Sequence, residues 1–291
     1  MSKTIVTHDG KFHADDVFSV ALLKRIYGDA TISRTRKAED IGRADVVVDV
    51  GGVYDEALGR FDHHQKGGAA TRENGIPYAS FGLVWRAYGE KLCTDASVAR
   101  RVEEVLVLSI DANDNGVDLS TPTIADVSGY ELSDAIRAFV PTWQEDESVL
   151  EGLFADAVAF ASHIIEREII RAEAFVAGER AVRSAYEKAS DKSLVILDED
   201  YSWKSILAKL PEPLYVIHPQ NGTWRLCSVR DNPHQFENRK DLPEAWAGLR
   251  DEALASVTGV FDAVFCHRNR FMAVARTREG VLALAKKALN G

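Results

Sequence analysis

The stretch Thr4-Ile5-Val6-Thr7-His8-Asp9-Gly10-Lys11-Phe12-His13-Ala14-Asp15-Asp16 passes from a β-branched run, through a polar loop, into the start of a helix. Thr4 to Thr7 reads as a first strand, because β-branched residues fit a pleated, half-buried surface. Asp15 or Asp16 then caps a helix whose apolar positions Val17, Val20, Ala21, Leu22 and Ile26 recur at helical spacing, with Gly28 as its stop. Strand, loop and helix in that order open an α/β domain.

Moving outward, Thr31-Ile32-Ser33 is a second short strand. Asp45-Val46-Val47-Val48-Asp49-Val50 is an unalternating apolar run ending at Gly51-Gly52, as expected of a buried parallel strand. Segments 80–88 and 97–108 have helical spacing, which completes the pattern of helices packed on a mostly parallel sheet. In such sheets ligands bind beyond the carboxyl ends of the strands, and His8 and Asp49 fall at two such ends. From about Asp146 to Lys188 a proline-free stretch places Leu150, Leu153, Phe154, Val158, Ala161, Ile164, Ile165, Ile169 and Phe175 at helical intervals, predicting one long helix or a helical pair. After Ser193 short strands are expected at 194–197, 214–218, 224–229, 263–266 and 271–275, with a closing helix near 279–289. The predicted fold class is therefore α/β: an N-terminal domain over 1–140 with a mostly parallel sheet flanked by helices, a helical connector over 141–190, and a smaller α+β domain over 191–291 that closes over the substrate.

A length of 291 residues suits two domains, each with its own core. Lys and Arg total 35 against 45 Asp and Glu, so bulk charge does not favour nucleic acid. The distribution is uneven, however. Residues 201–291 hold 13 basic and 9 acidic side chains, a net +4, which leaves −14 for residues 1–200. An acidic part suited to cations precedes a basic part suited to phosphates. Cys93, Cys227 and Cys266 form neither a disulfide framework nor a CxxC knuckle and are expected to be reduced thiols. The first residues lack the apolar run of a signal peptide and no later run approaches a membrane span, so the expectation is a cytoplasmic protein with no membrane partner.

Chemistry concentrates in His8, His13 and Asp15, then Asp49, then Asp62-His63-His64, and finally Asp111 in Ile110-Asp111-Ala112-Asn113-Asp114-Asn115-Gly116. Mixed imidazole and carboxylate donors suit manganese, iron or zinc, whereas a lone magnesium site would be dominated by oxygen. So many ligands imply two divalent ions, with a carboxylate bridging them to offset their repulsion, and Asp49 at a strand end is the bridging candidate. A water shared by two cations loses its proton near neutral pH and can attack a phosphoryl group. Asp114 and Asp118 read as turn residues of a polar loop.

Thr7 to Asp16, Val48-Asp49-Val50-Gly51-Gly52, Phe61-Asp62-His63-His64-Gln65 and Ile110 to Gly116 resemble the four motifs of the melanocyte proliferating gene family, which is similar to the DHH phosphoesterases. Ser202-Trp203-Lys204, Gly222-Thr223-Trp224-Arg225 and Phe265-Cys266-His267 extend the resemblance through most of the chain. It implies a DHH-like N-terminal domain and a metal-dependent phosphodiesterase, most plausibly a 3'-5' exonuclease on short or single-stranded RNA. It also implies one metal on His8, His13 and Asp49 and another on Asp15, Asp49, His63 and Asp111. Asp62 would orient His63, and His64 would face the substrate as a phosphate contact or proton donor. Two manganese ions are the expected cofactors, with magnesium, zinc or iron as alternatives. The chain departs from the superfamily in carrying His13 where a carboxylate is usual, and in lacking the glycine-rich GGH signature. Arg225, His267 and Arg268 are the candidate substrate-binding residues, since guanidinium forks match phosphate oxygens.

Two other readings compete. Phe12-His13-Ala14-Asp15-Asp16 also resembles the HPDD opening of zinc-dependent N-acetylsugar deacetylases, but those need a downstream HxxH pair that His163, His218, His234 and His267 do not supply. A non-catalytic metal- or nucleotide-binding module would keep the cluster for stability or sensing, although a closed structural site needs fewer ligands than are present.

Overall fold

The computed structural model describes residues 2–125, 127–232 and 235–291, so His234 lies outside the described residues. The chain divides into two compact units, Met1–Glu173 and Ala174–Gly291.

In the first unit the elements run β1 (Thr4–Thr7), α1 (Ala14–Tyr27), β2 (Thr31–Arg34), α2 (Ala38–Arg43), β3 (Val46–Val48), β4 (Tyr54–Asp55), β5 (Arg60–Phe61), α3 (Ser80–Tyr88), α4 (Ala96–Val102), α5 (Leu108–Asp114) and α6 (Leu132–Arg137). Among the described residues the sheet order is β2-β1-β3-β5-β4, parallel throughout except for the β4 edge. The carboxyl ends of β1, β3 and β5 therefore share one edge, delivering His8, Asp49 and Asp62-His63-His64 side by side. The helix after β1 begins at Ala14, one residue before the expected caps. His13 is its N-cap, and Asp16 caps from inside by accepting the His13 N–H at 2.7 Å. Gly28 ends it as expected, its N–H donating to the Lys24 carbonyl. Helix α1 is buried along most of its length, as its near-continuous apolar run from Val17 to Leu23 requires.

Two readings need correction here. The valine strand stops at Val48, because Asp49 adopts a left-handed φ of 56° that turns the chain out of the sheet. The Asp111 segment is a helix rather than a polar loop: α4, a π-helical turn at Glu103–Val107, and α5 form one continuous path to Asp114.

Helix α7 (Leu150–Lys188) is the long helix expected from the spacing. It is also long and apolar enough, by length and composition, to cross a bilayer, contrary to the sequence reading. Phe154, Ala157, Val158, Ala161 and Ile165 of its apolar portion are nonetheless buried, and the Phe154 ring meets Phe12 edge-on at 5.4 Å. This is the one-sided burial of an amphipathic helix on a protein core.

The second unit continues with β6 (Leu194–Ile196), α8 (Lys204–Leu207), β7 (Tyr215–Gln220), β8 (Thr223–Ser228), α9 (Asp251–Thr258), β9 (Ala263–Cys266), β10 (Met272–Ala275) and α10 (Arg278–Asn290). Its sheet, ordered β6-β7-β8-β10-β9, is antiparallel except for β6 with β7. On one face Tyr215, Ile217, Leu226, Ala273 and Ala275 pack with Leu254, Val281 and Leu284 of α9 and α10. On the other, Val195, Val216 and Cys227 pack with Trp203, Ile206 and Val182.

Gly59 makes the turn from β4 into β5 at φ 66°, where an added Cβ would stand 2.7 Å from the Asp45 carbonyl oxygen. Left-handed strain and this backbone clash act together, so Gly59→Ala should cost more than about 2 kcal/mol. Urea unfolding of the purified variant measures that loss.

Candidate metal centre

Asp49 is the hub of the cluster. Its left-handed backbone aims a buried carboxylate into the space beyond β1, β3 and β5. Its Oδ2 lies 3.3 Å from His8 Nε2, and its Oδ1 lies 3.5 Å from His63 Nε2 and 3.4 Å from His64 Nδ1. Burial pushes the Asp49 pKa upward, but the His63 and His8 imidazoles outweigh it and hold the carboxyl well below the usual range.

Three overlapping sets of donors form around this hub, the atoms of each set lying within 4.8 Å of one another: His8, His13, Asp16 and Asp49; Asp49, His63 and His64; and Asp15, His63 and Asp114. The structure thus brings together His8, His13, Asp15, Asp49, His63 and His64. It adds Asp16 and Asp114, which the sequence reading left out. Asp114 Oδ2 stands 3.1 Å from His63 Nε2. Asp114 follows Asp111 by three residues, which on a helix brings it to nearly the same face, so reading the segment as helical would have flagged it.

Asp111 is placed differently from the expectation. One oxygen accepts the Gly82 N–H at 3.0 Å and the other lies 2.7 Å from Arg72 Nη1. The contact with α3 is close enough that a Cβ on Gly82 would fall 1.8 Å from Asp111 Oδ2, so only glycine fits there. Burial, opposed by Arg72, pushes the Asp111 pKa up to about 7. Asp15 also serves α3: its two oxygens accept the N–H groups of Ser80 and Phe81 at 2.9 and 2.6 Å. Asp15 and Asp111 together satisfy the first amides of α3, donors that a helix start otherwise leaves unpaired. Asp15 still reaches within 3.9 Å of His63 Nε2.

The pairing of Asp62 likewise differs from the carried-over role. Its Oδ1 accepts the His64 backbone N–H at 3.1 Å and lies 2.8 Å from His64 Nδ1, and its Oδ2 accepts the Gly52 N–H. Asp62 therefore orients His64 rather than His63. A carboxylate only accepts, so Nδ1 of His64 carries the proton and Nε2 points away from Asp62. The His64 side chain is 62% exposed, whereas those of His8 and His63 are 3% and 8% exposed. His64 shares this exposure with His13, so these two histidines of the cluster meet solvent.

The donor set fits divalent cations. His8 Nε2, His63 Nε2 and Asp16 Oδ2 are buried without a hydrogen-bond partner, although each lies 3.1 to 3.5 Å from an atom of the cluster. Orphaned buried polar atoms are costly, and a cation would satisfy them together. Carboxylate crowding points the same way. Burial, then repulsion from Asp49, Asp114 and Asp111, drives the Asp15 pKa well above its ordinary value, and burial pushes Asp16 up to about 7 against the opposing pull of His8. Burial lowers the pKa of His63, but Asp114 and Asp49 outweigh it and raise it to about 11.

Of the residues expected to bind substrate, Arg225 lies half-buried on β8, His267 half-buried just after β9, and Arg268 exposed in the turn between β9 and β10. His218 is buried on β7 beside Asp200, its Nδ1 3.0 Å from Asp200 Oδ1.

Residues 4–289 match the family model MYG1_exonuc, described as an uncharacterised protein family (UPF0160). The chain is 33% identical over 325 residues to the MYG1 exonuclease of Homo sapiens, covering 98% of this chain and 85% of that one. It is 32% identical over 317 residues to the MYG1 protein of Dictyostelium discoideum (99% and 96%), and 29% identical over 315 residues to a MYG1 protein of Schizosaccharomyces pombe (98% and 97%).

Because Arg72 neutralises a buried Asp111, Arg72→Leu should destabilise the fold by about 3–5 kcal/mol. Adding Asp111→Asn should recover more than half of that loss. Equal stability of the single and double variants in urea unfolding would mean that the ion pair does not hold α3 and α5 together.

Proposed function

The chain belongs to the MYG1 family, the melanocyte proliferating gene family, and we propose that it is a metal-dependent phosphodiesterase acting as a 3'-5' exonuclease on short or single-stranded RNA in the cytoplasm. The observation that carries this reading is the nest of imidazole nitrogens and carboxylate oxygens around the buried Asp49, with its buried unpaired atoms. The name exonuclease borne by the human relative supports a nucleic-acid substrate. The resemblance to the DHH phosphoesterases supports the reaction type.

His8, His13, Asp16 and Asp49 would hold one cation, and Asp49, His63, Asp15 and Asp114 a second, with Asp49 shared. Manganese suits this mixture of nitrogen and oxygen donors better than magnesium. When bound, such a pair acidifies a water and neutralises charge developing on a phosphoryl group. The protein's own part is to fix donor positions and manage one proton. Asp49 does the first from a strand end, its position set by backbone rather than by a flexible loop. His64 does the second: with Asp62 balancing its positive charge at Nδ1, it donates the Nε2 proton to the leaving oxygen. The first amides of α3 are occupied by Asp15 and Asp111, so they are not free to hold a phosphate.

Asp49→Asn and His63→Ala should each abolish manganese-dependent release of nucleotides from single-stranded RNA while far-UV circular dichroism is unchanged. Undiminished turnover in both overturns the proposal. End-labelled RNA reads the direction, and DNA oligomers, pyrophosphate and cyclic dinucleotides tested in parallel read the substrate class. His64→Ala should lower kcat by roughly 10²–10⁴ without weakening metal binding.

Metal should also stabilise the fold. Manganese at one hundred times its Kd should add about 2.7 kcal/mol to the chelated protein. In thermal melts, Asp114→Ala should shrink that gain and Asp118→Ala should not. Equal gains in both variants would remove Asp114 from the ligand set.

A further inference from the structure

The second sheet is covered unevenly. Register places His218, Arg225, Val274 and Phe265 in one row across β7, β8, β10 and β9, on the face whose β6–β7 side is covered by Trp203 and Ile206. Toward β9 that cover gives out, leaving Phe265, His267, Phe271 and Arg225 half-exposed.

The exposed rings are ordered. Phe265 and His267 meet edge-on with centroids 6.1 Å apart, and His267 and Phe271 are 4.3 Å apart. The His267 Nδ1 accepts the Asn269 N–H at 3.1 Å, which fixes the imidazole in this line. Cations flank the rings: Arg250 stands 4.4 Å from the centre of Phe265, and Arg230 stands 5.7 Å from that of Phe271. Arg225 closes the row with an Nε that is buried and lacks a hydrogen-bond acceptor among the described residues. Its Nη1 meets the Met272 sulfur at 3.7 Å. Residues 201–291 carry a net +4 in a chain of net −10.

Rings spaced along an open sheet face, with guanidinium groups between and beside them, match the chemistry of an unpaired nucleic-acid strand. Bases stack on aromatic faces and phosphates take the arginines. An acidic peptide could answer Arg225, Arg230 and Arg250 with carboxylates, but it would lack the flat bases that answer the rings. We propose that this face of the second sheet is a binding track for single-stranded nucleic acid, with Phe265, His267 and Phe271 as base-stacking rings and Arg225 as a phosphate contact. The proposal rests on the nuclease reading and names where its substrate is held. It gives His267 a stacking role rather than that of a phosphate ligand.

The test uses the full-length chain carrying Asp49→Asn, so that substrate is not consumed, and fluorescence anisotropy of labelled RNA oligomers of increasing length. Phe271→Ala and Phe265→Ala should each weaken binding roughly 5- to 100-fold. Phe265→Leu and Phe271→Leu, which keep apolar volume but remove the π-face, should weaken it as well, which separates stacking from a folding defect. Arg225→Ala should reduce the slope of log affinity against log salt by about 0.7. Affinities equal to the parent's in the Leu variants, or equally tight binding of blunt duplex, would overturn the track. If the unmutated chain hydrolyses no phosphodiester, the nuclease reading fails instead. Cleavage of RNA by the unmutated chain, together with unaltered oligomer binding in the Leu variants, would sink the track alone.

Discussion

Burying several carboxylates close together is the constraint around which the first unit is organised. Asp15, Asp16, Asp49 and Asp111 are all nearly inaccessible to solvent, and each desolvated anion costs several kcal/mol unless it is answered locally. The fold answers them by different means. Arg72 and the amide of Gly82 meet Asp111, the amides of Ser80 and Phe81 meet Asp15, and that of His13 meets Asp16. Asp49 is met by three imidazoles, those of His8, His63 and His64. Buried atoms on His8, His63 and Asp16 are left over after this distribution, and they converge on one volume suited to positive ions.

This arrangement links architecture to chemistry directly. Parallel pairing of β1, β3 and β5 places three loop starts along one edge, and the left-handed turn at Asp49 keeps its carboxylate central. Helix α3 is pinned by acidic side chains from α1 and α5, so the walls of the site and its ligands belong to one network. The role of Asp62 follows from the same economy of contacts. By binding both the backbone and the ring of His64, it holds an exposed histidine at the rim of a buried centre.

The second unit is built differently. Its sheet has a conventional core on one face, whereas the other face is only partly covered and mixes rings with guanidinium groups. The contrast in charge between the two parts of the chain is legible in the sequence itself: the first 200 residues are acidic and the last 91 basic.

Much of the site could be read from residue types at the ends of recognisable strands. The β-branched run before His8 and the valine run before Asp49 announced both their elements and the edge at which they end. Asp16 and Asp114 were not singled out as donors, and the Arg72 and Gly82 partners of Asp111 were not foreseen, for one reason. A carboxylate on a helix can turn toward a metal, a neighbouring helix start or a cation, and the competitors Gly82, Ser80 and Arg72 lie 29 to 65 residues away from the acids they engage. Local pattern thus determined the strands, the long helix and the membership of most donors, because periodicity and chemical type are properties of neighbours in sequence. Only tertiary structure decided which acid faces which partner, since that depends on pairings made when distant segments pack.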